Sequence, residues 1–227
     1  MKKILNIIKK CVILTVIWQA KIILKKYKPK VVAITGSVGK TSTKDAVYTV
    51  LSKFYHVRKS DKNFNTNIGI ALTVLGVPSG KGSIFLWIEN VCVGFYLIIF
   101  RIKYPKWLVF EMGTGKPGDI KELTDWIKPD VVVLTRFPDV PVHVEHFKGT
   151  NEIIEEKMNL AYALKDDGVL ILNHDDTKVL SAKNKVKRKT VSYGFQDYAT
   201  YHATYPNIAY KNMGEISLPY GISFKME

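Results

Sequence analysis

The stretch KVVAITGSVGKTS, residues 30–42, decides the fold. Residues 30–35 are rich in β-branched and apolar side chains after Lys30, the pattern of a strand buried on both faces. Residues 36–39 form a glycine turn, and residues 40–54 read as a helix. Strand, glycine loop, helix is the order of a phosphate-binding P-loop, in which successive backbone N–H groups and a helix N-terminus make an anion site. Gly36, Ser37, Val38, Gly39, Lys40, Thr41 and Ser42 would cradle the phosphates of ATP, with Lys40 reaching the β- and γ-phosphates and the Thr41 hydroxyl ligating Mg²⁺. The loop departs from the general pattern at one place: Ile34 stands where the first glycine is expected, and Gly36 takes over that role.

Working outward, residues 63–75 read as a second helix entered through an Asn-rich turn, and 107–111 as a strand. Residues 118–126 follow as a helix, 129–135 as a hydrophobic strand, 151–164 as a helix and 168–172 as a strand. This alternation predicts an α/β fold of the P-loop NTPase type, a mostly parallel sheet with helices on both faces. Residues 83–105 form a hydrophobic insertion, read either as a second membrane-contacting helix or as a helix packed on the domain. Past Asp176 comes a basic connector, 178–189, and then short strand-like pieces, the last of them at 222–226.

The 227 residues carry a net charge of +14, and 47% hydrophobic content suffices for a real core. Nine lysines and no acid fall in the first thirty residues, so about two thirds of the excess charge lies in one flank. They are interleaved with an apolar segment, 4–24. Residues 1–28 are therefore expected to form a basic apolar helix, either amphipathic on an anionic membrane surface or, less well fitted, transmembrane, or else buried against the domain. No basic–aromatic motif in the remainder supports nucleic-acid binding. Cys11 and Cys92 have no metal-ligand spacing and point to a reducing, cytoplasmic compartment.

The compressed loop TGSVGKTS resembles that of the Mur ligase family, and four further segments in the same order resemble its MurF branch. They are NFNTNIGIALTVL (63–75), VFEMGTGKPGDIKELTDWIKPDVVVLT (109–135), PVHVEHFKGTNEIIEEK (141–157) and LNHDD (172–176). The resemblance spans residues 31–176. It implies that 29–227 form the central ATP-binding domain of an ATP-dependent amide ligase. Such an enzyme adds D-alanyl-D-alanine to a UDP-linked muramoyl tripeptide through an acyl phosphate, in cell-wall synthesis on the inner face of the membrane. A C-terminal amine-binding domain is expected to be absent from these residues and to be supplied by a completing domain or chain. The alternatives are a folylpolyglutamate- or cyanophycin-type ligase, or a non-catalytic ATP-binding membrane module.

By the same resemblance, Thr41, Glu111, His143 and Lys157 would hold Mg²⁺, with Lys157 carbamylated by CO₂. Lys40, His143 and Lys157 would be catalytic, Asn173 would contact adenine, and Asn65, Thr66 and Asn67 would meet phosphate or the acceptor carboxylate. His146 matches no ligand and reads as a bystander.

Overall fold

The structure, a computed structural model, describes residues 2–61, 64–137, 146–213 and 216–227. Eight strands form one sheet in the order β2 (Val57–Lys59), β3 (Trp107–Glu111), β1 (Lys30–Thr35), β4 (Val131–Leu134), β5 (Val169–Asn173), β6 (Lys189–Gly194), β7 (Tyr201–Met213) and β8 (Ile216–Met226). Neighbours are parallel up to β7, and β8 pairs antiparallel with β7. The mostly parallel sheet expected from the βα alternation is therefore present.

β1 lies at the centre, between β3 and β4, and its residues alternate between two buried faces. Val31 and Ala33 join the larger core, and Val32 and Ile34 the smaller one. The larger face is covered by α1 (Lys2–Tyr27), α3 (Asn67–Leu75), α4 (Ile84–Ile99), α5 (Asp119–Thr124), α6 (Thr150–Tyr162) and α7 (Thr177–Leu180). The smaller face is covered by α2 (Lys40–Leu51) through Val47 and Leu51. An apolar run with no polar alternation is what two covered faces require.

Three expectations change. β2 was not anticipated; its three residues pair with β3, and the Arg58 guanidinium donates to Thr73 O and Val74 O at the end of α3 (3.1 and 2.7 Å). The basic connector holds α7 and a 3-10 turn, Ser181–Asn184, started by Asp176, whose carboxylate accepts from Lys178 N and Val179 N. The strand-like pieces after it join into the long β7–β8 hairpin, with β6 preceding it.

The N-terminal segment is one helix, and among the described residues no helix is long and apolar enough to cross a membrane. Val16, Ala20 and Ile23 are fully buried, so α1 docks on the domain. It runs beside α4, where Gly94 admits the Gln19 side chain: a Cβ on Gly94 would lie 2.1 Å from Gln19 Oε1. Gln19 Nε2 donates to Val91 O (2.9 Å), and Lys26 Nζ donates to the carbonyls of Leu97, Ile98 and Phe100 (2.7–3.0 Å). That ammonium satisfies the last carbonyls of α4 and opposes the negative end of its dipole.

α5 and α6 are locked by one buried carboxylate. Gly118 precedes α5 in the left-handed region (φ 92) and offers no side-chain cap; Glu156 supplies one from α6, accepting from Ile120 N (2.7 Å) and Lys121 N (3.2 Å). Its loss leaves one buried and one part-buried donor without their acceptor. Glu156→Ala is expected to lower unfolding free energy by about 1–3 kcal/mol, and Glu156→Gln, which keeps one acceptor oxygen, by less, as read from urea midpoints.

Candidate active site

The loop after β1 is fixed by the end of β4. Thr135 Oγ1 donates to Val38 O (2.7 Å) and lies 3.3 Å from Thr35 O, while Ser37 N donates to Arg136 O (2.8 Å). Gly36 has φ 148, and a Cβ there would fall 1.9 Å from Thr135 Oγ1. Gly39, at φ 84, turns the chain into α2 from the left-handed region. These two glycines explain the compressed spacing: Ile34 remains a core residue of β1, and the turn begins only at Gly36.

The first turn of α2 presents N–H groups that have no intrahelical acceptor, the usual basis of an anion site. Lys40 Nζ folds back to donate to Ser37 O (3.2 Å). Burial holds its pKa below the ordinary lysine value, against the opposing pull of Glu111. Thr41 Oγ1 donates to Glu111 Oε2 (2.8 Å), so a hydroxyl and a carboxylate converge at the C-terminal edge of the sheet. Hard oxygen donors of this kind suit Mg²⁺. Val38 and Ser42 are solvent-facing, so Val38 contributes backbone rather than side chain.

Lys157 comes from α6 and is only 5% exposed. Its Nζ donates to Ser37 Oγ (2.8 Å) and stands 5.7 Å from the centre of the Phe137 ring. Burial first, and the nearby Lys40 cation second, push its pKa down from 10.5 to about 8. Two lysines thus address one loop residue, Ser37, one from the start of α2 and one from α6.

A cavity of about 430 Å³ opens beside them, lined by Ser37, Lys40, residues 65–67, Asp119, Glu122 and Lys157 among others. Thr66 caps α3 by accepting from Gly69 N (3.4 Å). Asn67 Nδ2 donates to Glu122 Oε1 and its Oδ1 accepts from Trp126 Nε1 (3.2 Å), which orients the amide. Asn65 packs against Gly113, where a Cβ would meet Asn65 Nδ2 at 2.8 Å.

The expected residues therefore divide into three groups. Residues 36–42, 65–67, Glu111 and Lys157 gather at the loop and its cavity. Asn173 ends β5, two strands away from β1, and its Oδ1 accepts from Asp175 N (3.0 Å), an Asx turn. His143 lies outside the described residues. Among the described residues no group of three or more His, Cys, Asp and Glu side chains is gathered as a metal site.

The sequence reading missed Lys44, Asp119 and Glu122. Lys44 is buried within α2, with its Nζ 3.7 Å from Glu111 Oε2 and 3.9 Å from Asp45 Oδ1. Its place one turn beyond Lys40 was the available signal. Asp119 and Glu122 share one side of α5, three residues apart, and look ordinary until the fold sets them on the cavity.

Gly36→Ala drives a methyl group into Thr135 and displaces the loop; nucleotide binding, measured with a fluorescent ATP analogue, is expected to fall by at least about tenfold.

Comparison with known proteins agrees with this geometry. The model of the Mur ligase middle domain matches residues 34–225. UDP-N-acetylmuramoyl-tripeptide–D-alanyl-D-alanine ligase of Bacillus subtilis (strain 168) is 33% identical over 175 residues, covering 77% of this chain and 32% of that protein. The enzyme of the same name from Rickettsia prowazekii (strain Madrid E) is 28% identical over 203 residues, 87% of this chain and 38% of its own. Among solved structures, MurF ligase from Thermotoga maritima in complex with ADP superimposes with a TM-score of 0.66 at 26% identity, covering 86% of this chain and 39% of that one. An Acinetobacter baumannii ligase reaches 0.69 at 19% identity over 94% and 40%, a likeness of fold. The chain spans about a third of the length of the curated relatives it matches. A family model that matches residues 34–225 and a relative 33% identical over 77% of the chain, on a fold with a P-loop and its cavity, leave one conclusion: the chain belongs to the Mur ligase family and carries its middle domain.

Proposed function

We propose that this chain performs the ATP-dependent step of amide formation in peptidoglycan precursor synthesis, activating the terminal carboxylate of a UDP-muramoyl tripeptide for attack by D-alanyl-D-alanine. The observation that carries the reading is the convergence on one loop: Lys40 and Lys157 both bond Ser37, and Thr41 meets Glu111 beside them. The names of the curated relatives support this substrate pair over a folate or cyanophycin type.

In this reading the glycine loop and the start of α2 bind the ATP phosphates, Thr41 and Glu111 hold Mg²⁺ with His143, and Asn173 faces adenine. Residues 65–67 and Glu122 border the space for the acceptor carboxylate. The γ-phosphoryl group passes to that carboxylate, giving an acyl phosphate and ADP; the amine then displaces phosphate. The protein's part is positioning and neutralising charge, chiefly through Lys40. Residues 29–227 form the nucleotide-binding unit, and the grips for the UDP-sugar and the amine are supplied by a further domain or chain. The enzyme acts in the cytoplasm, with residues 1–28 meeting an anionic membrane surface.

Lys157 fits the carbamate expected of it. Its neutral amine can add to CO₂ with loss of one proton, giving N–COO⁻. A pKa of about 8 leaves about a tenth of the side chain neutral at pH 7, where an ordinary lysine has well under one part in a thousand. The product is an anion beside Lys40, so the like-charge repulsion that lowers the pKa becomes an attraction.

Two outcomes are expected. With ATP and Mg²⁺, ADP release by the chain together with its completing domain requires both the tripeptide and D-alanyl-D-alanine, and Lys40→Ala lowers it by at least about a hundredfold. Release that ignores the acceptors overturns the reading. At fixed dissolved ¹³CO₂, a carbamate resonance is expected to grow as pH rises through about 8, where Lys157 loses its proton, and to vanish in Lys157→Arg. An unchanged signal in that variant removes the assignment.

A further inference from the structure

The hydrophobic insertion forms a helix whose outer face has no partner in the described structure. Along α4, Phe85, Ile88, Cys92, Phe95, Tyr96 and Ile99 recur at helical spacing and are all exposed, Phe85 by 79% and Ile99 by 68%. The opposite side, Asn90, Gly94 and Leu97, is buried. A run of large apolar side chains over four turns is more than the scattered apolar exposure of a soluble surface. One acid, Glu89, lies on this helix.

α1 runs parallel to α4, because the Lys26 end of one meets the Phe100 end of the other and Gln19 meets Val91 midway. Its own outer residues continue the surface: Leu14 and Trp18 are exposed, and Trp18 reaches the Phe95 ring across the seam, 6.3 Å between centres. Lys10, Lys21 and Lys25 are exposed on the same outer side of α1, a helix that contains no acid. At the N-terminal end of the pair a cleft of about 390 Å³ is lined by Val12, Ile84 and Trp87 together with Lys9 and Lys81.

We infer that the parallel α1–α4 pair is a single docking face for an anionic lipid bilayer surface, with the exposed residues of α4 entering the acyl boundary and the lysines of α1 meeting acidic headgroups. This rests on the membrane contact proposed above for residues 1–28 and relocates its apolar part to α4. Charge decides the occupant. A partner protein's apolar surface would cover α4 and leave three lysines unanswered, whereas an acidic leaflet supplies both an apolar layer and negative charge at the required depths. Neither helix is long and apolar enough to span, so the pair lies in the interface plane.

Flotation of the full chain with phosphatidylcholine vesicles, with and without phosphatidylglycerol, tests this. The wild-type protein is expected to float with the acidic vesicles and to be released by raised salt. Phe85→Ser/Ile88→Ser/Ile99→Ser, on solvent-facing positions, is expected to weaken partition by at least about tenfold without changing the thermal midpoint. Lys10→Gln/Lys21→Gln/Lys25→Gln is expected to abolish the preference for acidic lipid. Flotation that survives the α4 changes but not the lysine changes overturns this inference and leaves the contact of residues 1–28 standing. Absence of wild-type flotation overturns both. A wild-type dimer that the α4 changes turn into monomer, with no flotation, assigns the face to a second copy of the chain instead.

Discussion

The bond from Thr135 Oγ1 to Val38 O is the constraint on which the site depends. It ties the loop after β1 to the end of β4, and it leaves no volume for a side chain at residue 36. β1 and β4 are adjacent parallel strands in a covered sheet, so their ends are held by the ladder and by packing on both faces. The loop is therefore held in shape before any ligand arrives, and an anion meets preset donors instead of ordering them. The same rigidity places Thr41 against Glu111, since β3 flanks β1 on its other side.

Around that rigid edge, the lysines are set at unequal depths. Lys40 and Lys157 are partly stripped of water, and Lys44 is buried against Glu111. Lys40 and Lys44 lie near Glu111 and Lys157 lies near Lys40, so beside the loop itself cations outnumber carboxylates and negative charge is short. Burial makes that shortage costly and so raises the return on binding a polyphosphate, while Glu156, next to Lys157 on α6, keeps the helix in place by an interaction that does not involve the ligand.

Much of this was legible in the amino-acid sequence, and the exceptions have physical causes. Residues 30–42 identified strand, loop and helix because burial on both faces, a left-handed glycine and a helix start each leave a local mark. α3 was equally plain, although it begins at Asn67 after the Thr66 cap and not at residue 63. β2 could not be seen: Val57, Arg58 and Lys59 have no strand pattern, and they pair only because β3 arrives about fifty residues later and Arg58 finds the end of α3. Glu122 was invisible for a similar reason, since a helical glutamate acquires a role only from what folds against it, while Lys44 left no mark but its place one turn beyond Lys40. Asn173 was expected to contact adenine; the structure shows its side chain in an Asx turn, and the contact stays a proposal. The tyrosine-rich segment near the C-terminus looked like fragments because alternation is weak along a hairpin with little core to face.

The ammonium of Lys26 is 71 residues from Leu97, whose carbonyl it bonds, and the fully buried stripe of α1 rests on helices that follow the P-loop. On a ribosome adding about 5–20 residues per second, α1 therefore emerges several seconds before α4 can cover it. During that interval a lysine-rich helix with an uncovered apolar side is exposed to chaperones, nucleic acid and acidic surfaces alike. Completion of α4 closes that interval, so translation speed between residues 27 and 100 bears on how much of the chain reaches this fold.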